Sequence, residues 1–353
     1  MDMLRLVKTL NKTALIRSTL AALITVVLVY IGSRNLQNFD PALITYLTGT
    51  VFAAFSITYR YTVWLQRPST KLYWKRSLQF FFSRYFPKYL FLSLRLFITN
   101  ILFQRFIHPR GKTRWWGHFL LASGCMLAFA ITLPLTFGWV HFEFKPGDTG
   151  TYYAHLFGFE AGSFKLGSIM AFLIFHALVW SAIMVIIGAL MMLRRRMTEG
   201  GLIATQSFEF DWTPLLLLIA ISVTGLGISF DYTFLQGKTY QFMAVIHAIT
   251  VILFLIWLPF GKFFHIFQRL AQLGAILYRS EGERRGMAVC PHTEEAFAPK
   301  TQVEDLKKIT REAGFDFTRD DGSSHLDLSP EGKRAALARA HYKAREQSGG
   351  FFG

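Results

Sequence analysis

Ten histidines stand in this chain of 353 residues, and four of them, His118, His176, His247 and His265, fall in long apolar runs. An ionisable or ligating side chain inside a membrane span is expensive and reads first as functional. His247 and His265 are 18 residues apart in one run. On a continuous helix that is five turns, so both rings project from one face, about 27 Å apart along the axis. His118 follows Arg114 by four residues, and His176 precedes Arg194 by 18. Two levels result, His118 with His265 near one membrane face and His176 with His247 near the other. Two neutral imidazoles facing each other at one depth in a helical bundle are the ligand set of a b-type haem. The expectation is therefore two b-type haems, with these four histidines as axial ligands to iron. Arg114, Lys262 and Arg194 stand where they can pair with the propionates of the inner haem. Gly117, Gly124, Gly188, Gly225 and Gly227 are small enough to let a porphyrin approach the backbone. His108 stays open as an alternative to His118, and His141 and His155 read as solvated loop residues. A membrane histidine also serves as an interhelical hydrogen-bonding group, but matched depth across three helices favours ligation. The competing function is a secondary transporter or channel with an intramembrane histidine site, for which the sequence offers no inverted repeat and no paired broken helices.

These residues need membrane helices to hold them, and the composition provides for that. Hydrophobic residues make up 52% of the chain and charged residues 17%, with mean hydropathy +0.33. An ordinary soluble domain carries about 25% charged residues, so a soluble or disordered chain is excluded for most of the length. The net charge of +16 is uneven: residues 1–265 hold 24 Lys+Arg against 9 acids, and residues 266–353 hold 14 against 13. A basic, apolar body with a neutral polar tail is a polytopic membrane protein with a small appendage, not a nucleic-acid binder. Six stretches, 18–32, 41–63, 115–138, 166–193, 213–235 and 241–265, approach the roughly 20 residues a span requires. The first has no small-residue cleavage site before Asn35 and reads as an uncleaved helix. With the N-terminus inside, Arg5, Lys8, Lys12, Arg17, twelve bases from Arg60 to Arg114, Arg194–Arg196 and Lys262 lie inside, and only Arg34, Lys145, Lys165 and Lys238 outside. That 20-to-4 split puts both termini in the cytoplasm. Residues 71–114 hold no acid and mix bases with aromatics. They read as an interfacial amphipathic segment on membrane lipid, a re-entrant or buried helix being the alternative.

The run His247-Ala-Ile-Thr-Val-Ile-Leu-Phe-Leu-Ile-Trp-Leu-Pro-Phe-Gly-Lys-Phe-Phe-His265 resembles the last helix of the nitrate reductase gamma subunit and heterodisulfide reductase membrane subunit superfamily. Arg114-Trp-Trp-Gly-His118 and Phe175-His176 resemble its other ligand-bearing helices, over roughly residues 41–270. The resemblance implies a di-haem cytochrome b in the cytoplasmic membrane of a prokaryote. A protein of this kind passes electrons between the quinone pool and an iron–sulfur or molybdenum partner. One departure is plain: the nitrate reductase pattern sets two histidines ten residues apart on one helix, and ten residues after His118 comes Ala128. The second outer ligand must come from elsewhere, and His176 is the choice. A quinone site is expected beside one haem, near His176, His247, Asp231 and Tyr232, or else on the inner side near Lys262.

The tail, 266–353, resembles a zinc ribbon without its metal. Cys290-Pro-His-Thr293 and Ser329-Pro-Glu-Gly332 occupy two Cys-x-x-Cys positions and keep one cysteine of four. Tetrahedral zinc needs four N or S ligands, so no zinc is expected, and the tail reads as a partner-docking domain. No phosphate loop, dinucleotide fingerprint or nucleophile elbow occurs. The expected fold is thus all-α: about six transmembrane helices and an interfacial helix in a domain spanning 1–265, then a small cytoplasmic domain.

Overall fold

The computed structural model describes residues 11–318 and 322–347; Arg5 and Lys8, counted above among the inner bases, lie outside them. The helices of seven or more residues, in chain order, are α1 (Lys12–Gly32), α2 (Ile44–Leu65), α3 (Pro68–Phe81), α4 (Phe86–Leu96), α5 (Lys112–Thr136), α6 (Ile169–Phe175), α7 (Ala177–Thr198), α8 (Thr213–Phe234), α9 (Tyr240–Trp257), α10 (His265–Arg285), α11 (Lys300–Glu312) and α12 (Pro330–Gln347). The strands are β1 (Val140–Lys145), β2 (Asp148–Leu156), β3 (Phe159–Lys165), β4 (Met287–Val289) and β5 (Ala296–Pro299). Two compact units form. One is the chain up to Val63 with Ile98–Phe267; the other is Trp64–Phe97 with the residues from Gln268 onward.

The first unit carries the membrane spans. Among the described residues six helices are long and apolar enough to cross: Lys12–Gly32, Pro41–Leu65, Lys112–Thr136, Ala177–Thr198, Phe208–Phe234 and Tyr240–Trp257. The chain is a multi-pass membrane protein, as its hydropathy requires. Residues 89–107 supply no seventh such helix. α5 and α7 pack through glycines. A Cβ on Gly188 would lie 2.5 Å from the Leu121 backbone nitrogen, and one on Gly124 would lie 2.8 Å from the Ser181 carbonyl oxygen. Membrane helices lack a hydrophobic drive towards each other and use small residues for close backbone contact. Gly117, Gly124 and Gly188 therefore seat helix on helix, which corrects the expectation that they make room for a porphyrin. Beside them Ala53, Val185, Leu218, Phe254, Leu255, Leu258 and Phe263 form the largest core cluster.

The last apolar run does not stay helical to His265. α9 ends at Trp257, a turn occupies Leu258–Gly261, and His265 begins α10. Pro259 has no N–H to give and its ring clashes with the carbonyl four residues back, which ends a helix. Arg60 of α2 takes up the carbonyls this exposes, donating to those of Pro259 and Phe260, the latter at 2.8 Å. His247 and His265 thus sit on different helices, so the five-turn, one-face geometry expected of them does not apply.

Between α5 and α6 lies a three-stranded antiparallel meander, β1-β2-β3, where only a loop is expected from the sequence. The side chains of alternate residues Phe142, Phe144, Tyr152 and Phe164 pack on one another, and three of the four also meet Phe175 of α6 edge-on or tilted. Turns at Gly147 and Gly158, both at positive φ, connect the strands.

The second unit joins the basic segment to the tail, so the domain boundary read at 265 gives way to a discontinuous one. Arg76 of α3 forms a bidentate pair with Asp305 of α11, at 2.9 and 3.2 Å. The Tyr278 hydroxyl donates to the same carboxylate at 2.8 Å, and the Tyr278 ring meets those of Tyr73 and Phe80. Glu281, 1% exposed, accepts from the Tyr89 hydroxyl and from Arg284 and Arg285. Those donors, Arg284 foremost, outweigh burial and hold the Glu281 carboxyl at about 2. Part of the basic surplus of 71–114 thus meets acids of the tail, while Phe91 and Leu94 of α4 stay uncovered on the apolar stripe expected to face lipid.

The four ribbon positions come together. Cys290 and Ser329 are fully buried, the Thr293 and Ser329 hydroxyls lie 3.2 Å apart, and a Cβ on Gly332 would lie 2.6 Å from the Cys290 sulfur. Burial disfavours the Cys290 thiolate, but the hydroxyls of Thr293 and Ser329 and the backbone N–H groups of Ser329 and His292 prevail and bring it down to about 6.

Candidate functional site

The site begins with His247, on the second turn of α9. Its Nδ1 lies 3.0 Å from the Thr224 hydroxyl of α8. That hydroxyl donates its own proton to the Ala220 carbonyl at 2.7 Å, so it accepts from His247 Nδ1–H. In the neutral ring this leaves the lone pair on Nε2, the tautomer a metal ligand needs. Gly225 sits under the ring: a Cβ there would be 3.3 Å from His247 Cε1. Of the glycines singled out in the sequence, this one serves a histidine.

His247 lines a cavity of about 420 Å³ among α2, α5, α7, α8 and α9, within the 300–1,000 Å³ range of small-molecule sites. Its walls are Phe129, Leu133, Leu178, Val251 and other apolar side chains, broken by the hydroxyls of Thr132, Ser222 and Ser229. Cys125 is a free thiol on the same wall. His176 does not line it. That residue stands at the break between α6 and α7, is exposed, and donates from Nδ1 to the Phe172 carbonyl at 2.8 Å.

The other two histidines share this hydrogen-bonding state. His118, on α5, bonds through Nδ1 to the Gln104 side-chain oxygen, and Gln104 is itself buried at a left-handed backbone position. His265, the first residue of α10, donates from Nδ1 to the Lys262 carbonyl. All four predicted ligands therefore direct Nδ1–H to an oxygen, and in each neutral ring Nε2 carries the lone pair. His108, the alternative inner ligand, is exposed with its ring edge-on to Trp115.

The charged residues behave differently from expectation. Lys262 and Arg196 both bind the Asp211 carboxylate, which the Ser207 backbone N–H also reaches at 3.0 Å. Lys262 is thus held by protein, not poised for a propionate. Arg114 shares its surroundings with Arg110, Arg195 and Glu199, and Arg195 pairs with Glu199 at 2.7 Å. Asp231 is 1% exposed and accepts from the Thr239 N–H at 2.9 Å and its hydroxyl at 2.6 Å, tying the α8–α9 turn. Tyr232 is exposed, and neither residue lines the cavity. Thr224, Gln104 and Asp211 escape sequence reasoning. Asp211 leaves one signal, an acid at the start of an apolar span among bases.

No family model matches the chain, and no solved structure matches it. Among curated proteins it is similar to the E subunit of the dihydromethanophenazine:CoB–CoM heterodisulfide reductase of Methanosarcina acetivorans, 27% identical over 208 residues, 54% of this chain and 67% of that protein.

Proposed function

We propose that the chain is the membrane-anchoring, electron-carrying subunit of a respiratory oxidoreductase complex, with two bis-histidine b haems linked to the quinone pool. The observation that carries this reading is the common state of His118, His176, His247 and His265, each with Nδ1–H on an oxygen. A haem-ligating histidine is oriented by such a bond from its second nitrogen. The similarity to a heterodisulfide reductase subunit supports the same assignment, and the nitrate reductase gamma resemblance belongs to it.

The donor set fits the group. His118 with His265 and His176 with His247 would hold the two irons, and bound haem supplies a one-electron couple at each level. Thr224, Gln104 and the carbonyls of Phe172 and Lys262 orient the rings. The place of His176 beside His247 rests on its depth along the chain. Phe129, Leu133, Leu178 and Val251 exclude water from the His247 level, and the few hydroxyls among them suit a quinone headgroup in an apolar slot. Asp231 holds a turn, so the quinol proton leaves through other groups. The second unit, with its ribbon-like fold and mixed charge, is the surface for an iron–sulfur or molybdenum partner. The 20-to-4 distribution of bases puts it, with both termini, on the cytoplasmic side of a prokaryotic inner membrane. No zinc is assigned to the ribbon positions, where one thiol, two hydroxyls and a glycine meet.

The test is a reduced-minus-oxidised visible spectrum of the purified chain, followed by addition of a reduced quinol analogue to the oxidised protein. A b-type signal from about two haems per chain, at least one reduced by quinol, is expected. A chain isolated from haem-replete membranes without that signal overturns the assignment. Haems that quinol leaves oxidised overturn the quinone link.

A further inference from the structure

The β1–β2 hairpin carries a second constellation that the haem reading does not use. The register sets His141 directly opposite His155, and their rings lie parallel, 6° apart in plane with centroids 4.7 Å apart. Glu143, two residues along β1 and so on the same face, reaches His141 Nε2 at 3.3 Å and His155 Nε2 at 3.9 Å. One ligand atom from each of the three lies within 4.8 Å of the other two, the one such group among the described residues. The opposite face of the sheet is the aromatic stack on Phe175, so the three side chains stand on a packed sheet, not on a loop. A β-bulge between Ala154 and His155 sets the direction of the second imidazole, a use bulges often have next to sites.

We propose that His141, Glu143 and His155 form a binding site for a divalent transition-metal ion, with zinc the expected occupant. This does not rest on the proposed electron-transfer role. One observation points to a ligand beyond the juxtaposition itself. His155 Nε2, which faces the Glu143 carboxylate, is buried with no hydrogen-bond partner, and leaving a buried polar atom unsatisfied is costly. The donor set, two nitrogens and one carboxylate with a position left open, is one zinc commonly takes. Imidazole also suits copper and nickel. Donors 2.0–2.2 Å from one ion lie about 3.4 Å apart in tetrahedral geometry. The two Glu143 contacts, at 3.3 and 3.9 Å, already lie near that spacing, and the Glu143 side chain is 60% exposed and free to adjust. Arg34 is near enough to His141 to oppose added positive charge, and the Glu143 carboxylate offsets it.

The test uses the full chain in detergent, stripped with chelator and titrated with zinc. Bound metal is counted by mass spectrometry after gel filtration, against a Cys290→Ser background that removes the tail thiol. The unsubstituted hairpin should hold one zinc more than the His141→Ala/His155→Ala double variant, and Glu143→Gln should bind that zinc at least tenfold more weakly. Zinc should raise the melting temperature of the parent and leave the double variant unmoved. X-ray absorption on the zinc-loaded parent, which needs no substitution in the hairpin, should show two imidazoles and oxygen with no sulfur. Retention of the extra zinc by the double variant, a sulfur-containing shell, or a parent chain that takes up no zinc at micromolar metal would each overturn the site.

Discussion

Replacing Thr224 with valine removes one hydroxyl of nearly unchanged volume from the His247 site, so the effect isolates a hydrogen bond. The hydroxyl holds His247 Nδ1–H at 3.0 Å while its own proton is committed to Ala220. Valine removes that acceptor and leaves the Ile221 carbonyl as the ring's remaining partner in an apolar bundle, at about 1–3 kcal/mol. The ring escapes the penalty by rotating or by moving its proton to Nε2, and either change withdraws the nitrogen that would face iron. At 1.4 kcal/mol per tenfold, haem affinity at the His247 level should fall by about 10- to 100-fold, the range seen when a partner of a metal-bound histidine is removed. Thr224→Ser, which keeps the hydroxyl, should restore it. The assay is transfer of haem from each variant to excess apomyoglobin, with the b-type spectrum read before and after. Half of the haem should leave Thr224→Val faster, while the other half keeps the parent rate. His247→Ala should lack that half from the start. Equal loss rates in Thr224→Val and the parent, with His247→Ala still missing a haem, would refute the orienting role. Both haems retained in His247→Ala would refute the ligand.

The packing and the second unit give further tests. Gly188→Ala drives a methyl against the Leu121 backbone, so it should destabilise the bundle by about 1–3 kcal/mol; Gly162→Ala, with open space around it, should leave the melting temperature in detergent unchanged. Glu281→Gln removes the charge and one of the two oxygens that Tyr89, Arg284 and Arg285 share, at about 2 kcal/mol because the arginines are partly exposed. Its folded pKa lies below the unfolded value of about 4.3, so its contribution is full above that pH and is lost as pH falls towards 2; circular dichroism should show that loss in the parent and a flatter profile in the variant. Thr293→Cys/Ser329→Cys/Gly332→Cys should create a stoichiometric zinc site in the tail, because the four ribbon positions already meet, and zinc counts unchanged from the parent would show that they do not meet closely enough.

Hydropathy alone makes the six spans legible, since a run of about 20 apolar residues has few other uses. The local chemistry within those spans is harder to read. Pro259 and Gly261 are helix breakers in plain view, yet the apolar run continues through them and hides the break; what settles it is Arg60, 200 residues away in sequence from Phe260, which caps the exposed carbonyls. Gly117, Gly124 and Gly188 show that small residues on a span do not say what approaches them, a helix or a ligand. The meander is missed because its strands are six to nine residues long and lie between stronger helical signals, although Val140-His-Phe-Glu-Phe-Lys145 alternates at period two and Pro-Gly and Phe-Gly turns punctuate it. The same miss makes His141 and His155 look solvated, since only strand pairing brings them face to face.

The break at Pro259 also separates the two proposed haem levels. A continuous helix would fix His265 in register with His247, so both levels would depend on the packing of one rod. With the break, His265 opens a helix of its own that runs on to Tyr278 and Glu281, the residues that fasten Arg76, Tyr89, Arg284 and Arg285 within the second unit. The ring of His265 is then oriented by the Lys262 carbonyl in the turn before it, and Lys262 is itself tied to Asp211. A truncation after Arg279, which spares every histidine proposed as a ligand, still removes Glu281 and the anchors it gathers. Its haem spectrum therefore separates two cases. If the Lys262–Asp211 turn alone orients His265, both haems survive the truncation; if α10 must be held along its length, the His118/His265 haem is lost and the His247 haem remains.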